Sequence, residues 1–343
     1  MEKKSSDGQA ALLVPTDQRT ECDFDAGVSA FVSGDYPRAY AVFLELAERG
    51  DPNAQSNLGW MYQAGTHVRQ DIATAVKWYE LAAKQGLATA QRNLGLIHKV
   101  EYADHAEALN WFRKAAAQGN ASAQFDIGIM YRDGSGVEQS HEEAFRWFQL
   151  SAEGADSTGR MCLGLMYRHG HGTERDYVQA AQCFHLAAVQ GIAEAQEELG
   201  VAFALGHGVP QDYAESRCWL RLAADQGNAN AQFNLGFLYE KGLGGDPDHG
   251  QALRWYELSA LQGNAKAQFN LGWMYDTGSG VGQDIRVAAK WYELAAEQGL
   301  ASAQSNLARM HGAGEPRKIR GCPEFCVNGA SVKSWASSLQ TGW

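Results

Sequence analysis

Apolar positions recur along the chain with a spacing of 36 residues, broken once by a step of 33. One column is a Leu-Gly pair or a close variant, and its first residues are Leu58, Leu94, Ile127, Leu163, Leu199, Leu235, Leu271 and Leu307. A second column with the same steps holds Trp78, Trp111, Trp147, Cys183, Trp219, Trp255 and Trp291. Two columns in one phase indicate tandem copies of a small structural unit rather than a single catalytic signature.

Each repeat begins with a pattern typical of an amphipathic helix. Ala54, Leu58, Met61 and Tyr62 show the spacing, which places apolar side chains on one side of a helix. The second residue after the column leucine, such as Trp60, is also apolar and points to the opposite side. A helix that is apolar on two sides is packed on two sides. The pattern therefore predicts an inner helix held between neighbours.

A second helix follows in each repeat, as in ATAVKWYELAAKQG at 73–86, where Gly86 supplies the positive φ that ends a helix. The residue before this helix is acidic or Ser in all eight copies: Asp35, Asp71, Asp104, Ser140, Asp176, Asp212, Asp248 and Asp284. Such residues cap the first turn and contribute about 1 kcal/mol each. We therefore predict that this column is structural and not catalytic.

Between the two helices lies a Gly-x-Gly loop, for example Gly206 to Gly208. The sequence contains no extended glycine-rich motif, such as GxGxxG, after a predicted strand. A phosphate-binding loop is therefore not indicated. The loops are predicted to be turns that require a positive φ. The short stretch HKVEYAD, 98–104, lacks this loop and accounts for the step of 33.

Composition sets further limits. The 343 residues are 45% hydrophobic and 20% charged, which is typical of a folded globular protein. The net charge of −11 disfavours nucleic acid as a partner. No stretch approaches the ~18 apolar residues of a membrane span, and no signal peptide is seen, so a cytoplasmic location is expected unless translation starts further upstream. The six cysteines form no CxxC motif and are predicted to be reduced thiols.

The repeats resemble the Sel-one-like repeat, a relative of the tetratricopeptide repeat. The segment AKAQFNLGWMYDTGSGVGQDIRVAAKWYELAAEQG, 265–299, matches the consensus at almost every position. The resemblance covers about 24–314. It implies an all-α fold, a right-handed α-solenoid of about eight stacked antiparallel helix-turn-helix repeats. Residues 1–23 are then a flexible N-terminal segment, and 315–343 are a non-repeat basic tail predicted to be disordered or an accidental extension of a truncated gene.

Members of this family usually act as adaptors or scaffolds, so the resemblance implies a non-enzymatic protein that binds a partner protein or peptide in its concave groove. One column of the first helices, just before the leucine, is rich in carboxamides that could pair with a peptide backbone. The candidate binding residues are Asn57, Asn93, Asn234, Asn270 and Asn306, with Phe233 and Phe269 as aromatic anchors. The alternatives are local hydrogen bonds for the Asn side chains and packing between repeats for the Phe rings.

Two other functions stay open. A β-lactam- or cell-wall-related hydrolase of the cysteine-rich branch of the family is disfavoured, because this chain holds Gln and Ala at that branch's cysteine positions. An envelope-assembly or virulence-associated factor is the second. His171 and His207 occupy the same loop position in adjacent repeats, and His169 is nearby, so a metal site is a further candidate. Such a site needs three or four converging ligands. The alternative is that these histidines are solvated residues of turns. No catalytic residue, metal, cofactor or small-molecule substrate is predicted.

Overall fold

The computed structural model describes residues 21–311, with side chains for 24–310. Within that range the chain forms helices and no strands. The helices are α1 (Glu21–Val32), α2 (Tyr36–Glu48), α3 (Pro52–Ala64), α4 (Ile72–Lys84), α5 (Ala88–Val100), α6 (His105–Ala116), α7 (Ala121–Asp133), α8 (His141–Glu153), α9 (Ser157–His169), α10 (Tyr177–Ala188), α11 (Ala193–Leu205), α12 (Tyr213–Asp225), α13 (Ala229–Lys241), α14 (His249–Leu261), α15 (Ala265–Thr277), α16 (Ile285–Glu297) and α17 (Ala301–His311). Odd-numbered helices are the first helices of the repeats, and even-numbered helices are the second.

The all-α solenoid of helical hairpins is confirmed. Within α1–α8 and within α10–α17, each helix packs on the next helix along the chain, so that the first and second helices of a repeat contact each other and the second helix contacts the first helix of the following repeat. The predictions for residues 1–20 and 315–343, including Cys322 and Cys326, lie outside the described residues. Helix α1 begins at Glu21, so the boundary predicted at residue 23 falls inside that helix.

The described chain groups into two compact units. Unit 1 contains the residues up to 159 together with 171–173, and its core includes Phe43, Leu58 and Tyr79. Unit 2 contains 160–170 and the residues from 174 onwards, and its core includes Phe237 and Tyr256. Among the helices of 21–311, none has both the length and the apolar character needed to cross a bilayer.

The glycine of the Leu-Gly column makes room for an aromatic ring. At Gly236 a Cβ atom would lie 2.8 Å from the ring of Tyr256 on the second helix of the same repeat. Gly272 has the same relation to Tyr292, at 2.8 Å. The rings of Tyr256 and Tyr292 are fully buried. The column glycine is therefore explained by packing density, since any side chain would displace the ring.

All eight predicted N-caps of the second helices are confirmed. The Oδ1 atom of Asp212, for example, accepts hydrogen bonds from the backbone N–H groups of Ala214 at 2.8 Å and Glu215 at 3.1 Å. The capping oxygens belong to Asp35, Asp71, Asp104, Ser140, Asp176, Asp212, Asp248 and Asp284. These side chains satisfy donors that the first helical turn leaves unpaired.

The Gly-x-Gly loops are turns with positive φ, as predicted, and they also join repeats. Gly206 ends α11 with φ +71°, and Gly208 follows with φ +74°. A Cβ atom on Gly208 would lie 1.9 Å from the carbonyl oxygen of Tyr177, the first residue of the preceding repeat's second helix. The second glycine is therefore required by a close backbone approach as well as by its φ angle.

A glutamine column connects neighbouring repeats. The Nε2 atom of Gln232 donates to the carbonyl oxygen of Ala224, at the end of the preceding second helix, at 3.1 Å. Its Oε1 atom accepts from Nε2 of Gln262 at 2.7 Å. The column members that donate in this way are Gln55, Gln91, Gln124, Gln196, Gln232, Gln268 and Gln304. These amides, all buried except that of Gln304, donate to carbonyl groups at helix ends.

Candidate functional site

The asparagine column of the first helices is largely buried. Asn234 is 0% exposed and Asn270 is 2% exposed, while Asn57 and Asn306 are also buried and Asn93 is partly buried. The Nδ2 atom of Asn234 donates to Oε1 of Glu197 at 3.0 Å. At this position the local-bond alternative holds, and contact between the column and a peptide stays a prediction.

The two candidate aromatic anchors lie in the core of unit 2. Phe233 is 3% exposed, and its ring centroid lies 5.9 Å from that of Tyr256. Phe269 is 1% exposed and lies 5.5 Å from Tyr292. Packing between helices accounts for both rings, because so little of either surface is available to a partner.

A cavity of about 340 Å³ opens on the first helices of unit 2, between α11, α13 and α15. We call it the polar cavity. Its polar wall includes Glu197 and Glu198 from α11, Asn230 and Asn234 from α13, and Lys266 from α15. The first helices of adjacent repeats thus bring together polar residues of several columns, and two of the predicted residues, Asn234 and Phe233, border this cavity.

The charges in the polar cavity are strongly perturbed. Burial, together with the neighbouring Glu198 carboxylate, raises the pKa of Glu197 to about 8, against the opposing effects of Arg168 and Asn234. Burial also raises the pKa of Glu198, which forms an ion pair with Arg168 of α9. Burial lowers the pKa of Lys266. Perturbed ionisable groups in a cavity are typical of functional sites.

Glu197, Asn230 and Lys266 were not identified from the sequence. A signal was present at Glu197 and Glu198, because they interrupt columns in which most other repeats of unit 2 carry Asn or an aromatic residue. Asn230 and Lys266 occupy the same column, one repeat apart, near the start of their helices. That column shows no regular residue type, so periodicity alone did not distinguish it.

A second cavity of about 170 Å³ lies between α9, α10 and α11 of unit 2, and we call it the basic cavity. Its polar rim contains Arg168, His169, Arg175 and His207. Its remaining wall is mostly apolar and includes Ala180, Ala181, Phe184, Val201, Ala202 and Leu205. Arg168 and Glu198 border both cavities.

The three loop histidines have different surroundings. The ring of His207 stacks on Tyr177 in unit 2, with centroids 4.4 Å apart. The ring of His171 stacks on His141 in unit 1, at 4.9 Å. His169 accepts hydrogen bonds from Arg168. Within the described range, 21–311, no group of three or more His, Cys, Asp or Glu side chains is placed to hold a metal ion.

Cys183, which replaces Trp in the second column, is buried on α10. Burial raises the pKa of its thiol to about 11, with a smaller opposing effect from Arg160. A thiol with this pKa is almost fully protonated at neutral pH and is therefore a poor nucleophile.

The family model described as Sel1 repeat matches more than half of the chain, at residues 52–87, 88–120, 121–156, 161–192, 193–228, 229–264, 265–300 and 301–320. A sel1-like repeat-containing protein, L21 of Acanthamoeba polyphaga mimivirus, is 40% identical over 58 residues, which are 17% of this chain and 11% of L21.

Two solved structures resemble the chain over most of its length. One is c5321, described as a protective antigen present in uropathogenic Escherichia coli strains with an SLR fold, with a TM-score of 0.76 and 38% identity over 86% of this chain and 65% of c5321. The other is a Sel1 repeat protein from Oxalobacter formigenes, with a TM-score of 0.65 and 36% identity over 70% of this chain and 99% of that protein. The chain thus spans less than two thirds of c5321.

Proposed function

Since the chain belongs to the Sel1 repeat family, whose members generally mediate protein–protein interaction, we propose that it is a non-enzymatic scaffold. It holds a segment of a partner protein along its first helices, in the concave groove that the family resemblance implies. Sel1 repeat proteins are typically scaffolds without catalytic activity, which agrees with this proposal.

One observation carries the proposal, namely the polar cavity on the first helices of unit 2. Peptide segments offer both donors and acceptors, and carboxamides match both. Asn230 is exposed, Lys266 is partly buried, and both border the cavity. These two side chains and the carboxyl group of Glu197 would contact the partner directly. Asn234, which donates to Glu197, would orient that carboxyl group from behind.

A selection from a library of random peptides tests this proposal. Peptides that bind the wild-type chain should bind Lys266→Glu at least about tenfold more weakly, because the substitution removes the ammonium donor and adds a negative charge beside the carboxyl groups of Glu197 and Glu198. Lys290→Glu is the matched control, since Lys290 is exposed on the second helix α16 and the charge change is the same. Equal binding by both variants would contradict a site on the first helices.

The asparagines predicted to bind the peptide need a separate test. The double variant Asn234→Ala with Asn270→Ala should weaken peptide capture with an almost unchanged melting temperature if these side chains contact the peptide. A large fall in melting temperature would show that they are structural. Their burial makes both measurements necessary on the same sample.

The absence of catalysis is tested directly. The purified chain should not hydrolyse a chromogenic β-lactam above the rate of a heat-inactivated sample. Turnover that a point substitution abolishes would overturn the non-enzymatic proposal and favour the hydrolase.

A second candidate function is an envelope-assembly or virulence-associated factor. It is supported by one finding, the similarity to c5321, which is described as a protective antigen of uropathogenic strains. Fractionation of cells that produce the protein from its native gene would distinguish the two candidates. Recovery in the envelope fraction would favour this second function, and recovery in the cytosol would contradict it.

A further inference from the structure

The basic cavity contains a guanidinium group without a counter-ion. Arg168 forms an ion pair with Glu198, but Arg175 forms no ion pair with any of the residues that the structure describes. The guanidinium of Arg175 lies only over the ring of Tyr177, at 6.0 Å from the centroid. A protein of net charge −11 thus carries a local excess of positive charge at this cavity. Such an excess attracts an anion.

The two histidines on the rim play different parts. Both the Nε atom and the Nη2 atom of Arg168 lie within hydrogen-bonding distance of Nε2 of His169, at 3.2 and 2.9 Å. Since arginine can only donate, Nε2 of His169 is the acceptor, and this ring is neutral. His207 has no such donor. Burial and the nearby Arg168 lower its pKa, so it is also neutral at pH 7. A bound anion would offset both effects and favour its protonated form.

The apolar part of the wall limits what the anion can be. Phe184 is buried, and Leu205 and Val201 lie beside it in the cavity. A group with several charged oxygens would leave some of them unpaired against these side chains, which is costly. The volume of about 170 Å³ is well below the roughly 300 Å³ of a small pocket for a drug-sized ligand. The occupant is therefore a group of a few carbon atoms with one anionic end.

We propose that the basic cavity binds a carboxylate carried on a short apolar stem, with Arg175 and His207 at the carboxylate and Phe184 and Leu205 around the stem. This chemistry has two sources, the C-terminal residue of a peptide and a free short-chain carboxylic acid. Arg175 supplies a planar pair of N–H donors that matches a carboxylate. The site adjoins the polar cavity at Arg168 and Glu198, but Arg175 and His207 line only the basic cavity, and the site extends the proposed function.

Isovalerate, a branched four-carbon stem with a carboxylate, is the first probe. We expect saturable shifts of the His207 and His169 ring signals in NMR spectra of the full chain, at an ionic strength held constant with sodium chloride. Isovaleramide, which has the same stem without the charge, should cause no such shifts. Binding should strengthen as the pH falls from 8 to 6, because the carboxylate stabilises protonated His207. The other charged or titratable groups on the cavity wall are Arg168, His169, Arg175, Tyr177 and Glu198.

Variants test the residue assignment. Arg175→Gln should weaken isovalerate binding about tenfold, which is the usual size of a charge-assisted hydrogen bond. Arg175 is exposed, so the substitution should leave the fold intact. Arg221→Gln, at an exposed arginine of α12, is the matched control and should bind as the wild type does. Unchanged binding by Arg175→Gln would overturn the assignment.

A peptide ending in leucine and its C-terminal amide distinguish the two sources. Tighter binding by the free-acid peptide than by isovalerate identifies a protein C-terminus, and the reverse order identifies a free acid. Equal shifts with isovaleramide, comparable binding of inorganic phosphate, or no saturable shift with isovalerate would each overturn the proposal. Lys266→Glu should bind isovalerate normally, so failure of the peptide site and failure of this site are distinguishable.

Discussion

Asn234 and Glu197 are joined by a hydrogen bond of 3.0 Å from Nδ2 to Oε1, across two adjacent first helices. The two residues lie one repeat and one position apart in the sequence. The carboxyl group accepts this bond next to a second carboxylate, Glu198, in a partly buried setting. The stability of unit 2 is therefore linked to the protonation of Glu197 and of the neighbouring Glu198, whose pKa is also raised.

Glu197→Gln should make the protein less sensitive to pH. The pKa of Glu197 is raised from 4.5 to about 8, so the folded state keeps a proton that the unfolded state releases above pH 4.5. The contribution of this group to stability is fully present below pH 4.5 and is lost as the pH rises through about 8. At pH 9 the variant should be more stable than the wild type by at least about 1.4 kcal/mol, the equivalent of one pKa unit, and near pH 4 the two should agree.

Urea denaturation followed by circular dichroism between pH 4 and 9 checks this expectation. Glu194→Gln, at an exposed residue of the same helix that makes only the smallest contribution to the raised pKa of Glu197, is the control and should show a much smaller effect. A lower stability of Glu197→Gln at every pH would show that the carboxyl group is not replaceable by an amide.

Gly208→Ala should disrupt the contact between two repeats. The new Cβ atom would lie 1.9 Å from the carbonyl oxygen of Tyr177, and the φ angle of +74° is itself unfavourable for alanine. Gly227→Ala has a similar φ of +94° but meets nothing within 4 Å. The control should therefore lose only roughly 1–2 kcal/mol, and Gly208→Ala should lose clearly more. Equal losses of stability for the two variants in chemical denaturation would mean that the close contact between residue 208 and the Tyr177 carbonyl group relaxes at little cost.

Gln232→Ala should destabilise the protein by about 1–3 kcal/mol. The substitution removes the buried amide donor from the carbonyl oxygen of Ala224, which keeps only backbone donors such as the N–H of Gly227, and it removes the acceptor of the partly buried Nε2 group of Gln262. Gln304→Ala removes one longer bond of 3.3 Å from an exposed member of the same column, so its loss should be smaller. Thermal unfolding of both variants compares the two losses of stability. A larger loss for Gln304→Ala would contradict a stabilising role of the glutamine column.

Cys183 should react slowly with thiol reagents. Its pKa of about 11 leaves a very small thiolate fraction at pH 8, and the side chain is buried. Exposed Cys218 should be modified more than tenfold faster. Mass spectrometry of digested samples follows each cysteine separately. In guanidinium chloride the two rates should converge, and slow labelling of Cys183 after unfolding would point to a cause other than the fold.

The hairpins, their ends and their turns were predicted from the sequence because each rests on local chemistry. Asp212 caps α12 through N–H groups two and three residues away, so a single column of side chains predicted it. Gly206 was predicted in the same way, since a positive φ is a property of one residue. The helix pattern around Leu58 needed only the period of the α-helix.

The candidate site was predicted only in part. The sequence pattern identified the asparagine column as rich in carboxamides, but the direction in which these side chains point relative to the neighbouring first helix was not available from one helix alone. In the structure that neighbour covers Asn234 and leaves Asn230 and Lys266 beside an open cavity. The burial of Phe233 and Phe269 could not be predicted for the same reason, because it depends on contact with the rings of Tyr256 and Tyr292 on the second helices.

The sequence by itself determined the repeat, the two helices within it, their caps and their glycine turns, since backbone preferences act over a few residues and recur with the period. Only the tertiary structure decided which columns are covered, how far the pKa of Glu197 rises, and that Arg175 and His207 share a cavity. Those properties depend on distances between side chains that are about 30 to 40 residues apart in the chain. Such distances are set by how one helical hairpin packs on the next.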